Sequence, residues 1–142
     1  MSSRDVLLVE DNEDDVELTL RAFARNNISN QVTVAHDGAQ ALELLLGESA
    51  RSSTALPMLI LLDLHLPKVD GLDVLARVRA DDRTRRVPIV VLTSSNESEE
   101  IQRAYGLGAN SYIRKPVDWD QLVDTTRQIG LYWLVVNEPP QG

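Results

Sequence analysis

The residues able to do chemistry are few, and they sit just past short strand-like runs. Glu10 and Asp11 follow Asp5-Val-Leu-Leu-Val9, Asp63 follows Met58-Leu-Ile-Leu-Leu62, Thr93 follows Ile89-Val-Val-Leu92, and Lys115 follows Ser111-Tyr-Ile-Arg114. The run before Asp63 is uncharged and apolar throughout, as expected of a strand buried on both faces of a parallel sheet. In such a sheet the carboxyl ends share one edge, where open α/β folds place their ligands. Residues far apart in the chain would meet there with no further assumption.

Three gathered carboxylates are costly. Two unit charges about 4 Å apart repel by roughly 4 kcal/mol at an effective dielectric near 20. Protonation or a cation must relieve them. An all-oxygen donor set with room for water suits Mg²⁺. Its two positive charges, with that of Lys115, balance Glu10, Asp11 and Asp63. Asp63 is the best-placed nucleophile, since carboxylates form aspartyl phosphates. Mg²⁺ and Lys115 would neutralise the phosphoryl oxygens, and Thr93 would donate a hydrogen bond to one of them.

The elements that must position these groups alternate strand and helix five times. An amphipathic helix from Asp14 to about Asn26 carries Val16, Leu20 and Phe23 on one side, with acids in its first turn where the helix dipole favours them. Gln31 to Ala35 alternates as a second strand. Asp37-Gly38 opens a helix through Leu46, with Ala41, Leu42 and Leu45 inward, and Gly47 to Leu56 is expected as a mobile polar loop. Pro67 and Asp70-Gly71 mark turns before a third helix, whose apolar positions are Leu72, Leu75 and Val78. A fourth spans Glu97 to Leu107, and the last begins near Trp119. This order predicts an α/β fold, a five-stranded parallel sheet with helices on both faces.

Composition narrows the function. The 142 residues read as one domain, with a core over about 5–130 and an extended C-terminal helix and tail over 131–142. Fourteen basic residues against 22 acidic ones give a formal charge of −8, which argues against a nucleic-acid surface. No membrane span or secretory leader is evident, and zero cysteines exclude thiolate chemistry and suit the cytoplasm.

Over Asp5 to about Gly130 the chain resembles the receiver domain of two-component response regulators. The resemblance rests on Glu10-Asp11, on Asp63-Leu-His-Leu-Pro-Lys-Val-Asp-Gly71, on Thr93-Ser94 and on Tyr112-Ile-Arg-Lys-Pro116. It implies the flavodoxin-like, doubly wound strand order 2-1-3-4-5. It also implies phosphoryl transfer from a histidine kinase to Asp63, so the chain would be a signalling switch rather than an enzyme. Mg²⁺ would be held by Asp11, Asp63 and the backbone carbonyl of His65, with Glu10 acting through water. The Lys115–Pro116 bond is expected to be cis. Thr93 would move toward the phosphoryl group and Tyr112 would turn inward, remodelling the face made by the fourth helix, fifth strand and last helix. Glu10 stands where many relatives have Asp.

The last helix adds a stripe of Leu122, Thr126, Ile129, Trp133 and Val136, interrupted by Gly130. Leu131 to Val136 is apolar throughout, so a homodimer interface is expected at Leu131, Trp133, Leu134 and Val135. No output domain is recognisable after it. The long 47–56 segment and this tail most resemble single-domain regulators paired with bacterial phytochrome kinases. A haloacid-dehalogenase-like phosphatase would need a second acid where His65 stands. A flavodoxin-like flavin carrier would need a hydroxyl- and glycine-rich loop in place of Glu10-Asp11-Asn12-Glu13.

Overall fold

A computed structural model of the chain describes residues 1–51, 55–116 and 118–137. Five strands, β1 (Val6–Val9), β2 (Val32–Ala35), β3 (Leu59–Leu62), β4 (Ile89–Thr93) and β5 (Ser111–Arg114), form one parallel sheet in the order β2-β1-β3-β4-β5. The expected topology is therefore the one observed.

Alternation along each strand divides the core in two. Leu7, Val9, Ile60, Leu62, Ile89 and Val91 face one side, where they pack with α2 (Gly38–Leu46), α4 (Gly71–Ala80) and Ala104 of α5 (Ser98–Gly106). Val6, Leu8, Leu59, Leu61 and Val90 face the other, against Val16 and Phe23 of α1 (Glu13–Arg25) and Ile129 of α6 (Trp119–Ile129). Each such side chain, fully buried, is worth about 2 kcal/mol. The central strands β1, β3 and β4 have no solvent face, which is why their sequences read as continuous apolar runs.

Side chains cap three of the helices. Asn12 accepts from the Asp15 N–H, Asp37 from that of Gln40 and Asp118 from that of Gln121. In α1 the inward face is Val16, Thr19, Ala22 and Phe23, and Leu20 is left 38% exposed. Positions 16, 19 and 23 and positions 16, 20 and 23 are both helical stripes, and packing against α6 selects the first.

Two further segments depart from expectation. Inside the expected loop 47–56, Glu48–Arg51 forms a short helix, α3, too brief to leave an apolar period in the sequence; residues 52–54 lie outside the described residues. After Ile129 the chain does not stop at Gly130. It continues as a π-helical segment, Gly130–Val136, closed by the Asn137 N–H donating to the Tyr132 carbonyl. Gly130 marks a close approach rather than a termination: a Cβ there would lie 2.7 Å from Ile28 Cδ1, so that side chain would have to shift. The wider π turn rotates the tail, so Trp133 and Leu134 pack against the α1–α6 side of the core. Of the four residues expected to seek an outside partner, only Leu131 and Val135 are exposed, together with Tyr132. No helix among the described residues is long and apolar enough to cross a membrane.

Candidate functional site

The sheet ladder continues one step past the strand ends and so places the reactive residues. The Glu10 N–H donates to the Ala35 carbonyl (2.9 Å), that of Asp63 to Val9 (3.0 Å) and that of Lys115 to Thr93 (2.7 Å). After Asp63 the chain doubles back sharply. Lys68 takes a left-handed φ of 68°, and the Gly71 N–H returns to the Leu64 carbonyl at 2.8 Å. A Cβ at Gly71 would lie 2.4 Å from Leu64 Cα, so only glycine closes this loop.

Lys115 is the hub. Its Nζ donates to Glu10 Oε1, to Asp15 Oδ2 at 2.9 Å and to Asp63 Oδ2 at 3.1 Å. The side chains of Glu10 and Asp63 are 5% and 9% exposed, whereas that of Asp15 is 38% exposed. Backbone donors complete the set, from Asn12 to Glu10 Oε2 and from His65 to Asp63 Oδ1, both at 3.2 Å.

The two buried acids divide their roles. Burial raises Glu10 to about 7, aided by the Asp63 charge and opposed by Lys115. Burial also works to raise Asp63, but the Lys115 ammonium, a hydrogen bond from Glu10 and the His65 N–H together hold it below the usual carboxylate range. The environment therefore disfavours ionisation at Glu10 and favours it at Asp63, and the ionised form is the one a nucleophile needs. Burial works to lower Lys115, but its carboxylate partners prevail and its pKa is raised.

Glu10, Asp11 and Asp63 each offer an oxygen within 4.8 Å of the other two, a donor set suited to a hard divalent cation. Such a cation would offset the burial and the Asp63 charge that work against ionisation of Glu10. Thr93 ends β4, beside β3. Its hydroxyl is buried with no hydrogen-bond partner among the described residues. Leu62 pairs with Val91, so Thr93 stands one step beyond the level of Asp63, and its orphaned donor suits an incoming acceptor oxygen.

The remaining expected residues lie around this centre. Tyr112 is half-buried, its hydroxyl donating to the Ser95 carbonyl at 3.0 Å. His65 Nε2 lies 3.2 Å from Glu100 Oε1, joining the loop after β3 to α5. The Lys115–Pro116 bond is not cis, because no peptide bond among the described residues is. The trans form is intrinsically the more stable X–Pro isomer, and with it Lys115 already reaches its carboxylates. Asp15 escaped the sequence reading, because it is one of three acids in the first turn of α1 and carries no local mark of its distant partner.

Comparison with known proteins agrees with this geometry. The family described as response regulator receiver domain matches residues 6–127. The probable methanogenesis regulatory protein FilR2 of Methanothrix harundinacea is 42% identical over 136 residues, which cover 95% of this chain and 86% of that protein. The response regulator Rcp1 of Synechocystis sp. is 33% identical over 129 residues, 91% of this chain and 88% of its own. Its Mn²⁺-bound crystal structure covers 97% of this chain and 99% of that one, with a TM-score of 0.86. The phosphorylated cyanobacterial phytochrome response regulator RcpA is 36% identical, with the same coverages and a TM-score of 0.89. Receiver domains bind a divalent metal at this acidic pocket, and neither the phosphatase nor the flavin-carrier alternative finds support. On these matches the chain belongs to the response regulator receiver family, in the group that includes phytochrome response regulators.

Proposed function

We propose that Asp63 is the phosphoacceptor and that the chain is a switch rather than an enzyme with a substrate of its own. The observation that carries this is the pairing of a buried Asp63 with Lys115 beside the buried Thr93 hydroxyl, which has no hydrogen-bond partner among the described residues. In the transfer, an Asp63 carboxylate oxygen attacks the phosphorus of a kinase phosphohistidine. The P–N bond breaks, its electron pair stays on the imidazole nitrogen, and an acyl phosphate forms. Lys115 neutralises one phosphoryl oxygen and Thr93 donates to another. Mg²⁺ would be held by Asp11, Asp63 and the His65 backbone carbonyl, with Glu10 behind, and would supply charge neutralisation.

Movement of Thr93 toward the phosphoryl group would free the space beside β4 for Tyr112. Tyr112 would then exchange its Ser95 contact for an inward position and remodel the α5–β5–α6 face. A histidine kinase of the phytochrome class is the favoured donor, given the similarity to RcpA, and the chain would act in the cytoplasm. A homodimer would form through the exposed Leu131, Tyr132 and Val135, with Trp133 and Leu134 supporting them from the core side.

Incubation with acetyl phosphate and Mg²⁺ followed by intact mass tests the acceptor. Wild type gains one phosphoryl group and Asp63→Asn gains none; equal gain by both would refute the assignment. Light scattering of Val135→Glu tests the interface. A monomer is expected, and a mass equal to that of a dimeric wild type would exclude this surface.

A further inference from the structure

Asp15 belongs to the first turn of α1, where any acid is welcome to the helix dipole. Its neighbours show what that role alone looks like: Asp14 is exposed, and Glu13 turns to His36 Nδ1 at 3.3 Å. Asp15 instead turns inward and takes a hydrogen bond from Lys115 Nζ at 2.9 Å, closer than the one Asp63 receives. That bond ties α1 to the segment joining β5 and α6.

An ammonium has three N–H donors, and those of Lys115 serve Glu10, Asp15 and Asp63. A phosphoryl oxygen on Asp63 needs one of them. Releasing Glu10 would strand a buried carboxylate, and the Asp63 side of the site is where the phosphoryl group arrives. Asp15 is the partner that water can re-solvate at least cost, since its side chain is the most exposed of the three. The charges agree. Glu10, Asp11 and Asp63 balance a divalent cation plus Lys115, so Asp15 adds one surplus negative charge beside an anionic ligand.

We infer that Asp15 is a positioning residue that holds Lys115 in the unphosphorylated state and opposes phosphoryl transfer until that bond is given up. Phosphorylation exchanges the Asp15–Lys115 contact for a Lys115–phosphoryl contact and unties α1 from the β5–α6 segment. This rests on Asp63 being the acceptor.

The test measures phosphorylation rate with phosphoramidate and Mg²⁺ by intact mass, alongside ¹⁵N NMR of the Lys115 ammonium. Asp15→Asn should be phosphorylated roughly five-fold faster than wild type, as expected for removing one partly screened charge. Asp14→Asn should match wild type, and Asp15→Glu should restore the slow rate. In wild type the Lys115 ammonium signal should shift on phosphorylation, and Asp15→Asn should show part of that shift beforehand. Equal rates for wild type and Asp15→Asn, or equal acceleration by Asp14→Asn, would overturn the inference. Failure of the underlying reading looks different: Asp63→Asn would still gain phosphate at the wild-type rate.

Discussion

Lys115 and Arg79 are both half-buried cations, one just past the carboxyl end of β5 and the other bonded to the loops that precede β4 and β5, and their surroundings differ in kind. Lys115 meets carboxylates: Glu10, Asp15 and Asp63. Arg79 meets neutral acceptors, donating to the carbonyls of Gly108 (2.9 Å), Arg85 (3.0 Å) and Val87 (2.6 Å) and to Asn110 Oδ1 (2.8 Å). Burial lowers the Arg79 pKa, with no carboxylate among its causes, whereas that of Lys115 is raised. A guanidinium fork fastened to fixed carbonyls is a clamp between α4 and the loops flanking β4 and β5. A point-charge ammonium among mobile carboxylates can exchange partners when a new anion arrives. The same burial therefore yields a structural joint in one place and a responsive site in the other.

That contrast is open to test by substitution. The largest effect is expected for Lys115→Met in metal-free protein at pH 8, a loss of about 4 kcal/mol by urea unfolding, because buried carboxylates lose their cation. With Lys115 gone, burial and mutual repulsion hold Glu10 and Asp63 above their unfolded values. Their contribution is then full at low pH and lost as pH rises, so the defect should shrink toward pH 5. Arg79→Met should cost about 3 kcal/mol through its orphaned carbonyls. That cost should be the same at pH 5 and pH 8, since its acceptors do not titrate. A defect that follows pH as the Lys115 one does would erase the distinction.

Thr93→Val sharpens the comparison from the acceptor side. Replacing an unpartnered buried hydroxyl by a methyl of equal shape should raise the urea stability of the unphosphorylated protein by about 1 kcal/mol. The same variant should lose the response of Tyr112 fluorescence to phosphorylation. A destabilised variant would mean that the hydroxyl already has a partner.

The smallest effect belongs to a partly exposed pair, Lys68 Nζ and Asp37 Oδ2 at 3.6 Å. Asp37 lies below its usual pKa because it accepts the Gln40 N–H at the start of α2, with Lys68 adding less. A lowered pKa contributes stability above the unfolded value, near 4, that disappears as pH falls through the folded one. Asp37→Asn keeps the cap, so its urea midpoint should differ slightly from wild type at pH 6 and converge with it in acid, once the wild-type carboxylate is protonated. Persistence of the gap in acid would assign it to something other than charge.

How much of this could be read from the chain follows from the range of each interaction. Strand ends were legible because burial on both faces forces continuous apolar runs, and a polar residue such as Asp63 or Thr93 ends them visibly. The helix starts were legible from Asn12, Asp37 and Asp118, whose side chains bond residues only three positions away. Asp15 was not, because acids in a first helical turn are common and nothing local distinguishes the one that turns inward. Arg79 was equally hidden, its partners lying six to 31 residues away.

By itself, then, the sequence determined the order of elements, the sheet edge where Glu10, Asp11, Asp63, Thr93 and Lys115 gather, and the chemistry those residue types permit. Only the tertiary structure decided which carboxylates share the Lys115 ammonium, that the Thr93 hydroxyl has no partner among the described residues, and that Trp133 and Leu134 turn back onto the core. The reason is physical. Periodicity and capping are set by residues within a turn or two of each other, whereas charge pairing and desolvation depend on which distant surfaces the packing brings into contact.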